Sequence, residues 1–285
     1  MKTPILKQVK YLLEAFLIYS FYFFFKAFQI ETSSVIGSKI VKFFSCFLKE
    51  NKVMERNLKI CFPNTTHSYR KKVILATWEH FGAVIGELPH WHNMDRSEFF
   101  DKIKIINRNN MPHSKALIIS GHIGNWELIS KIAKECNMHL SLVYRPSNNP
   151  YVNNLINKLR RFYNISLIPK GTKGVKQILQ ALASGKVVGM MVDQKMDDGI
   201  NVPFFKKDAM TTALPATLAL KYKIPIIMSK VIRTGNAKYA VEFCNSLKIT
   251  STDTKFSIMQ RINNMLEKWI TATPEQWFWF HNRWK

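Results

Sequence analysis

Beyond about residue 115, short apolar runs alternate with stretches in which apolar residues recur every three or four positions. Short β-branched runs are typical of buried strands, and the longer spacing is typical of amphipathic helices. The predicted strands are ALIIS (116–120), HLSLVYR (139–145), ISLIPK (165–170), KVVGMMVD (186–193) and IPIIMSKVI (224–232), which YAVEFC (239–244) could continue. The predicted helices are WELISKIAKE (126–135), PYVNNLINKLRRFY (150–163), GVKQILQALAS (174–184) and TTALPATLALKYK (211–223). This alternation predicts an α/β fold with a largely parallel central sheet flanked by helices.

The first fifty residues differ, because they contain the most apolar stretch of the chain. Residues 11–30 are interrupted only by Glu14, Lys26 and Gln29. Twenty helical residues extend about 30 Å and could cross a bilayer, although a helix in the membrane interface or the core is the alternative. We therefore expect an N-terminal membrane-anchoring helix and an interfacial helix over 1–50, followed by an α/β domain over 51–285. The larger excess of lysines after the apolar stretch favours a cytoplasmic location for that domain.

The chain is strongly basic, since 42 lysines and arginines stand against 19 acidic residues and give a net charge of +23. Such an excess favours an anionic partner, which could be nucleic acid, a membrane surface, or an acidic protein or substrate. The apolar N-terminal stretch favours the membrane over nucleic acid. The four cysteines are far apart and are predicted to be reduced thiols. No histidines cluster with them as zinc ligands would, so no metal site is expected.

His122 and Glu127 are the candidate catalytic residues, within GHIGNWE (121–127). Five positions along one helix would separate their side chains by about 140°, so His122 must lie on a strand-to-helix turn with Glu127 just beyond it. Gly121 and Gly124 provide the backbone freedom for such a turn. A carboxylate beside an imidazole fixes its tautomer and raises its basicity, as a general base requires. The alternative is an ordinary turn with a buried histidine and a surface acid.

Other common catalytic motifs are missing. H-E-x-x-H and G-x-S-x-G do not occur, which argues against a zinc metalloprotease and a serine hydrolase. Because GHIGNWE contains no serine or cysteine nucleophile, the simplest chemistry is direct attack by a substrate hydroxyl that His122 deprotonates.

GHIGNWE resembles the H-x-x-x-x-D/E signature of acyltransferases, in the form found in the lipid A late acyltransferases (lauroyl and myristoyl transferases) of the lysophospholipid acyltransferase superfamily. The resemblance continues along most of the chain, through RNLKICFP (56–63), HFGAVIGEL (80–88), VYRPSNNP (143–150), LRRFYNISLIPKGTKG (159–174), DQK (193–195), VPFFKKDAMTT (202–212) and PEQWFWFHNRWK (274–285). The last motif departs slightly, because Asn282 and Arg283 follow its histidine where relatives often carry two basic residues.

The resemblance implies an O-acyltransferase that moves a fatty acyl chain from acyl carrier protein to a hydroxyl of a lipid A precursor, Kdo-modified lipid IVA. His122 would deprotonate that hydroxyl, and Glu127 would orient His122 and stabilise its charge. No cofactor is implied beyond the thioester co-substrate. The implied partners are acyl carrier protein, an anionic glycolipid and membrane lipid at the cytoplasmic face of the cell inner membrane, and not nucleic acid. Acylation of another glycolipid or lysophospholipid, such as phosphatidylinositol mannoside or lysophosphatidic acid, stays open.

Four further positions are candidate substrate-binding residues, namely Asn125, Arg145, Arg160 and Asp193. Arg145 and Arg160 match the arginine-bearing middle of the family, and their planar forks suit phosphate oxygens on the acceptor or on phosphopantetheine. Asp193 ends its strand at the same predicted sheet edge as His122. The alternatives are solvated surface arginines, a turn or cap role for Asp193, and a helix cap for Asn125.

Two C-terminal segments are predicted to be structural. Thr211 and Thr212 are expected to cap the helix that follows them. The aromatic run QWFWF (276–280) is expected to pack in the core or the membrane interface, with His281 and Arg283 only decorating its end.

Overall fold

The computed structural model describes residues 5–284, which form ten α-helices and nine strands. The strands are β1 (Ile103–Ile106), β2 (Ala116–Ser120), β3 (Leu140–Tyr144), β4 (Ser166–Pro169), β5 (Val187–Met191), β6 (Ile200–Phe204), β7 (Lys207–Thr211), β8 (Ile226–Gly235) and β9 (Lys238–Ser246). The helices are α1 (Ile5–Lys26), α2 (Ile30–Ser45), α3 (Glu50–Cys61), α4 (His67–Glu87), α5 (Arg96–Lys102), α6 (Leu128–Glu135), α7 (Pro150–Arg161), α8 (Thr172–Ala183), α9 (Leu214–Tyr222) and α10 (Lys255–Ala272).

Seven strands form one sheet in the order β1-β9-β8-β2-β5-β3-β4, and β6 pairs with β7 in a separate hairpin. Five adjacent strands, from β8 to β4 in that order, run parallel to one another. Strand β9 is antiparallel to β8, and β1 is parallel to β9. The predicted α/β fold with a largely parallel sheet is therefore confirmed. The segment 239–244 does not continue β8, because a tight turn between Gly235 and Lys238 reverses the chain into β9.

Both faces of the sheet are buried, as β2 illustrates. Leu117 and Ile119 pack into one hydrophobic core with residues of α3, α4, α8, α9 and α10, while Ala116 and Ile118 pack into a second core with α5 and α6. Successive side chains of a strand point to opposite faces. A strand buried on both faces consists of consecutive apolar residues, which is why ALIIS could be predicted as one.

The N-terminal segment is two helices joined by a turn. α1 ends at Lys26 and α2 begins at Ile30, so the apolar stretch 11–30 is divided between them. Within residues 5–284, no helix combines the length and the apolarity that crossing a membrane requires. This finding contradicts a spanning helix at 11–30, and attachment at the membrane surface stays a prediction. The division at residue 50 also stays a prediction, and residues 1–4 of the predicted anchor lie outside the described residues.

The predicted helix at 211–223 begins later than expected. Thr211 is the last residue of β7, and α9 starts at Leu214. The Oγ1 atom of Thr212 accepts the N–H of Leu214 at 3.3 Å, which is close to the predicted capping role. Neither β1, nor α10, nor the β6–β7 hairpin was predicted.

Candidate active site

His122 lies two residues beyond β2, on the turn that leads to α6. Gly124 has a φ of 62°, and a Cβ atom on it would lie 1.8 Å from the carbonyl oxygen of Val231. A side chain at this position would therefore be strained and would also clash. A Cβ atom on Gly121 would lie 3.2 Å from Oδ2 of Asp193. Gly124 thus allows the turn, and Gly121 leaves room for the approach of a carboxylate.

The carboxylate that contacts His122 belongs to Asp193. Oδ1 of Asp193 lies 2.8 Å from Nδ1 of His122, and Oδ2 accepts the backbone N–H of His122 at 2.7 Å. The indole Nε1–H of Trp277 donates to the same Oδ2 at 2.8 Å. The strand register explains the contact: Ser120 of β2 pairs with Met191 of β5, and two positions further along each chain are His122 and Asp193.

Asp193 holds one tautomer of the imidazole. Burial alone would raise the pKa of its carboxyl, but attraction to His122 and the hydrogen bonds from His122 and Trp277 hold that pKa well below its usual range. An ionised carboxylate only accepts hydrogen bonds, so Nδ1 of His122 carries the proton and Nε2 keeps a free lone pair. Asp193 is only 3% exposed, so it supports His122 and does not serve as the predicted substrate contact.

Glu127 pairs with Arg160 instead of His122. Nε and Nη2 of Arg160 donate to the two carboxylate oxygens at 3.1 and 2.5 Å, in a bidentate arrangement. Burial would lower the pKa of the Arg160 guanidinium, but the Glu127 carboxylate raises it above its ordinary value. α6 begins at Leu128, so Glu127 precedes the regular helix and faces α7, which carries Arg160. The prediction that Glu127 orients His122 is corrected accordingly.

A cavity of about 430 Å³ lies at the carboxyl ends of β2, β3 and β5, and both His122 and Glu127 line it. Its cationic lining residues are Arg145, Arg160 and Lys170. Arg160 is neutralised by Glu127, whereas Arg145 and Lys170 form no ion pair with any residue from 5 to 284. The cavity therefore combines an imidazole that can accept a proton with two unpaired cations.

Asn125, like Asp193, is a predicted substrate contact that does not line this cavity. Its side chain is 3% exposed and approaches the hydroxyl of Tyr239. The turn at Gly124 directs the following residue into the protein, which explains why Asn125 does not face the cavity. The N-cap position of α6 is occupied by Glu127, and Asn125 contributes only its carbonyl, which accepts the N–H of Leu128 at 3.1 Å.

The C-terminal residues hold the His122 turn in place. The N–H of Phe278 donates to the carbonyl of His122 at 3.0 Å, and the N–H of Gly124 donates to the carbonyl of Gln276 at 2.8 Å. The ring of Phe278 also packs against the His122 imidazole, with 6.0 Å between ring centroids. Together with the Trp277–Asp193 hydrogen bond, these contacts make the C-terminal segment a wall of the site.

Arg283 is buried and does not merely decorate the chain end as predicted. Its Nη1 donates to the carbonyl of Met210 and its Nη2 to Oγ1 of Thr211, both at 2.6 Å. It thereby attaches the C-terminal segment to β7. Trp277 and Trp279 are also buried, which agrees with the predicted core packing of QWFWF.

Two residues of the site were missed. Lys170 follows β4 as Arg145 follows β3, and the carboxyl ends of parallel strands share one edge, so strand position was the available signal. No spacing in the sequence links Trp277 to Asp193. Among residues 5–284, no cluster of three or more histidine, cysteine or acidic side chains could hold a metal ion, and all four cysteines are unbridged.

Comparison with known proteins identifies the family of this chain. The sequence model of the bacterial lipid A biosynthesis acyltransferases matches residues 2–285. This chain belongs to that family. It is therefore an acyltransferase of lipid A biosynthesis, and the resemblance first noted at GHIGNWE is confirmed.

The curated relatives are distant but cover most of the chain. The lipid A biosynthesis palmitoleoyltransferase of Escherichia coli (strain K12) is 24% identical over 262 residues, which span 88% of this chain and 84% of that protein. The lipid A biosynthesis lauroyltransferase of the same strain is 25% identical over 260 residues, with the same two coverages of 88% and 84%. The solved 1-acyl-sn-glycerophosphate acyltransferase of Thermotoga maritima is 12% identical, with a TM-score of 0.42 over 87% of this chain and 99% of that one.

Proposed function

We propose that this acyltransferase transfers a fatty acyl chain from the thioester of acyl carrier protein to a hydroxyl of Kdo-modified lipid IVA. The observation that carries the proposal is the His122–Asp193 contact, 2.8 Å long, at the wall of a cavity that also presents Arg145 and Lys170. O-acylation of a phosphorylated glycolipid needs an oriented base and cations that attract phosphate, and the cavity offers both.

Each residue has a defined part in the proposed reaction. Nε2 of His122 takes the proton of the acceptor hydroxyl while the hydroxyl oxygen forms a bond to the thioester carbonyl carbon. The tetrahedral intermediate collapses, the carbon–sulfur bond breaks, and the thiolate leaves with the proton returned from the imidazolium. Asp193 stabilises that imidazolium through Nδ1–H without becoming protonated, because its pKa is held low. The only bonds that change are those of the thioester and of the acceptor hydroxyl, so the proposed reaction needs no other cofactor.

The unpaired cations explain how an anionic acceptor would be held. Burial lowers the pKa of the Lys170 amine, the neighbouring Asp193 opposes that change, and Arg145 adds to it. An acceptor phosphate between Arg145 and Lys170 would form the ion pairs that these two side chains lack within residues 5–284. The net charge of +23 also favours encounter with an acidic carrier protein.

Attachment to the cytoplasmic face of the inner membrane belongs to the same proposal. α1 leaves large apolar side chains exposed, among them Leu13 (61%), Phe16 (70%) and Phe23 (62%). Exposed apolar surface near lysines suits the boundary between anionic headgroups and acyl chains, where a helix can lie flat without spanning. A lipid acceptor would then reach the enzyme within the membrane surface.

The direct test is transfer with purified enzyme. Tetradecanoyl acyl carrier protein is offered with Kdo-modified lipid IVA or with lysophosphatidic acid, and products are followed by mass spectrometry. We expect esterified lipid IVA from the wild type and none from His122→Ala. The same donor group on coenzyme A measures the preference for the carrier protein.

Two results would overturn the proposal. Transfer only to lysophosphatidic acid would show that the acceptor is glycerol-based and not a lipid A precursor. Turnover by His122→Ala at the wild-type rate would show that His122 is not the general base. Flotation with vesicles of phosphatidylethanolamine and phosphatidylglycerol tests membrane attachment separately. Phe16→Ser in α1 is expected to weaken flotation without changing turnover on a detergent-dispersed acceptor.

A further inference from the structure

We propose that an apolar groove between α8 and the start of α9 holds the fatty acyl chain of the donor thioester; this inference rests on the proposed function. The groove has a volume of about 290 Å³. Its walls include Val175 and Ile178 of α8, Met190 of β5, Met196, and Leu214 at the first turn of α9. These are side chains that a hydrocarbon chain can contact without leaving a polar group unsatisfied.

The groove joins the cavity that contains His122. Val143, Lys170, Met190, Met191 and Gln194 line both spaces, so the two meet along the carboxyl ends of β3 and β5. A thioester carbonyl beside His122 would therefore have its acyl chain directed past Met191 and into the groove.

The side chains that line the cavity and the groove indicate which part of the substrates each of them binds. The Glu127–Arg160 pair and Arg145 line the cavity but not the groove, and Lys170 lies where the two meet. Within residues 5–284, the groove has one acidic lining residue, Asp198, and no cation besides Lys170. A phosphorylated sugar requires the cationic space, whereas the apolar space suits a hydrocarbon chain. Because the groove continues from the cavity where the thioester must meet His122, we assign it to the donor chain and not to the hydrocarbon chains of the acceptor. Val175 is 37% exposed, so the groove is open along one side. A chain delivered by a carrier protein could enter sideways and would not need to thread through a tunnel.

The length of the groove would then select chain length. A hydrophobic site discriminates by roughly 10- to 200-fold for each methylene that it gains or loses. Val175→Trp places an indole at the groove and should exclude the ends of long chains, whereas Leu214→Ala should make room for them. Gln177→Trp is the matched control: it adds the same bulk to an exposed position on α8 that does not line the groove, about 200° around the helix from Val175.

The experiment is a competition among decanoyl, dodecanoyl, tetradecanoyl and hexadecanoyl acyl carrier proteins with one lipid IVA acceptor. For Val175→Trp we expect the ratio of kcat/KM for hexadecanoyl over decanoyl donor to fall at least about tenfold below wild type. Leu214→Ala should raise the ratio, and Gln177→Trp should leave it unchanged. Equal ratios in all four proteins, or equal shifts in both tryptophan variants, would overturn the groove assignment.

A second measurement separates this inference from the proposed function. Displacement of the fluorescent fatty acid cis-parinaric acid by free hexadecanoate reports chain binding without any transfer. If no glycolipid is acylated but Val175→Trp alone weakens this binding, the groove stands and the proposed acceptor fails. If transfer proceeds and neither binding nor chain preference responds to Val175→Trp, the groove assignment fails and the proposed function stands.

Discussion

Replacing Asp193 by asparagine tests the assignment of the base partner most sharply. Three N–H groups point at this carboxylate: Nδ1–H of His122, the backbone N–H of His122 and Nε1–H of Trp277. An asparagine has one acceptor oxygen where aspartate has two. Its oxygen is best placed at the Oδ2 position, where it satisfies two donors, so its NH₂ group faces Nδ1. The imidazole must then accept at Nδ1 and carry its proton on Nε2, where it cannot deprotonate a hydroxyl.

The size of the effect follows from that tautomer change. Fixing a catalytic histidine in the wrong tautomer lowers kcat about 10⁴-fold, which is about 5 kcal/mol of transition-state stabilisation. The acceptor does not touch Asp193, which is 3% exposed, so KM should change little. We expect Asp193→Asn to lower kcat by about three to four orders of magnitude at nearly constant KM.

Steady-state transfer measures the kinetic part, and ¹⁵N NMR of histidine-labelled enzyme measures the tautomer directly. The proton should move from Nδ1 to Nε2 of His122 in the variant. Glu127→Gln is the matched control, because it removes one carboxylate charge from the same cavity but contacts Arg160. It should leave the tautomer unchanged and lower kcat far less. If Asp193→Asn keeps kcat within tenfold of wild type while Glu127→Gln abolishes turnover, Glu127 is the partner of the base and the argument from geometry is wrong.

Two further predictions concern stability. Gly124→Ala should lower the free energy of unfolding by at least about 2 kcal/mol in urea titrations, because its Cβ would lie 1.8 Å from the Val231 carbonyl at a positive φ; a loss below about 0.5 kcal/mol would contradict the described turn. Burial, with help from Arg233, lowers the pKa of His80 from 6.5 to about 4. Its depressed pKa means that the unfolded chain takes up a proton before the folded one, so stability is lost as pH falls. Between pH 7 and pH 5 this contribution is about 2 kcal/mol, and His80→Asn should flatten the pH dependence by that amount; an unchanged slope would refute it.

Most of the strands that could be predicted are central strands buried on both sides. β2, β3, β5 and β8 contain consecutive apolar residues, and this pattern identifies central strands without any knowledge of their neighbours. β4 was also predicted from its apolar residues, although it lies at the edge of the sheet and its Ser166 is exposed. The separate antiparallel β9 could not be predicted in the same way. Its direction depends on the short turn between Gly235 and Lys238, and strands of either direction share one hydrophobic pattern.

The site was predictable only as far as each residue could be placed on its own strand. His122 and Asp193 each follow a strand by two residues, and both were identified as candidates at one sheet edge. Their contact depends on β2 and β5 being neighbours, although β3 and β4 lie between them in the chain. Strand order follows from tertiary packing and not from local spacing, so the nearer acid, Glu127, was chosen as the partner.

The spacing between His122 and Glu127 has a different physical consequence from the one expected. The turn at Gly124 directs the two side chains toward different neighbours: His122 meets Asp193 beyond β5, while Glu127 meets Arg160 on α7. The Glu127 carboxylate is therefore compensated by Arg160, whereas the Asp193 carboxylate is buried and accepts three hydrogen bonds. The cationic groups left over are Arg145 and Lys170, which line the same cavity as the imidazole. The motif GHIGNWE thus has two structural roles. It places His122 against the buried Asp193, and its Glu127 anchors Arg160 at the wall of the same cavity. Because the anchor is the Glu127–Arg160 pair, shortening Glu127 to aspartate should loosen Arg160 and raise KM for the phosphorylated acceptor while the His122 tautomer stays unchanged.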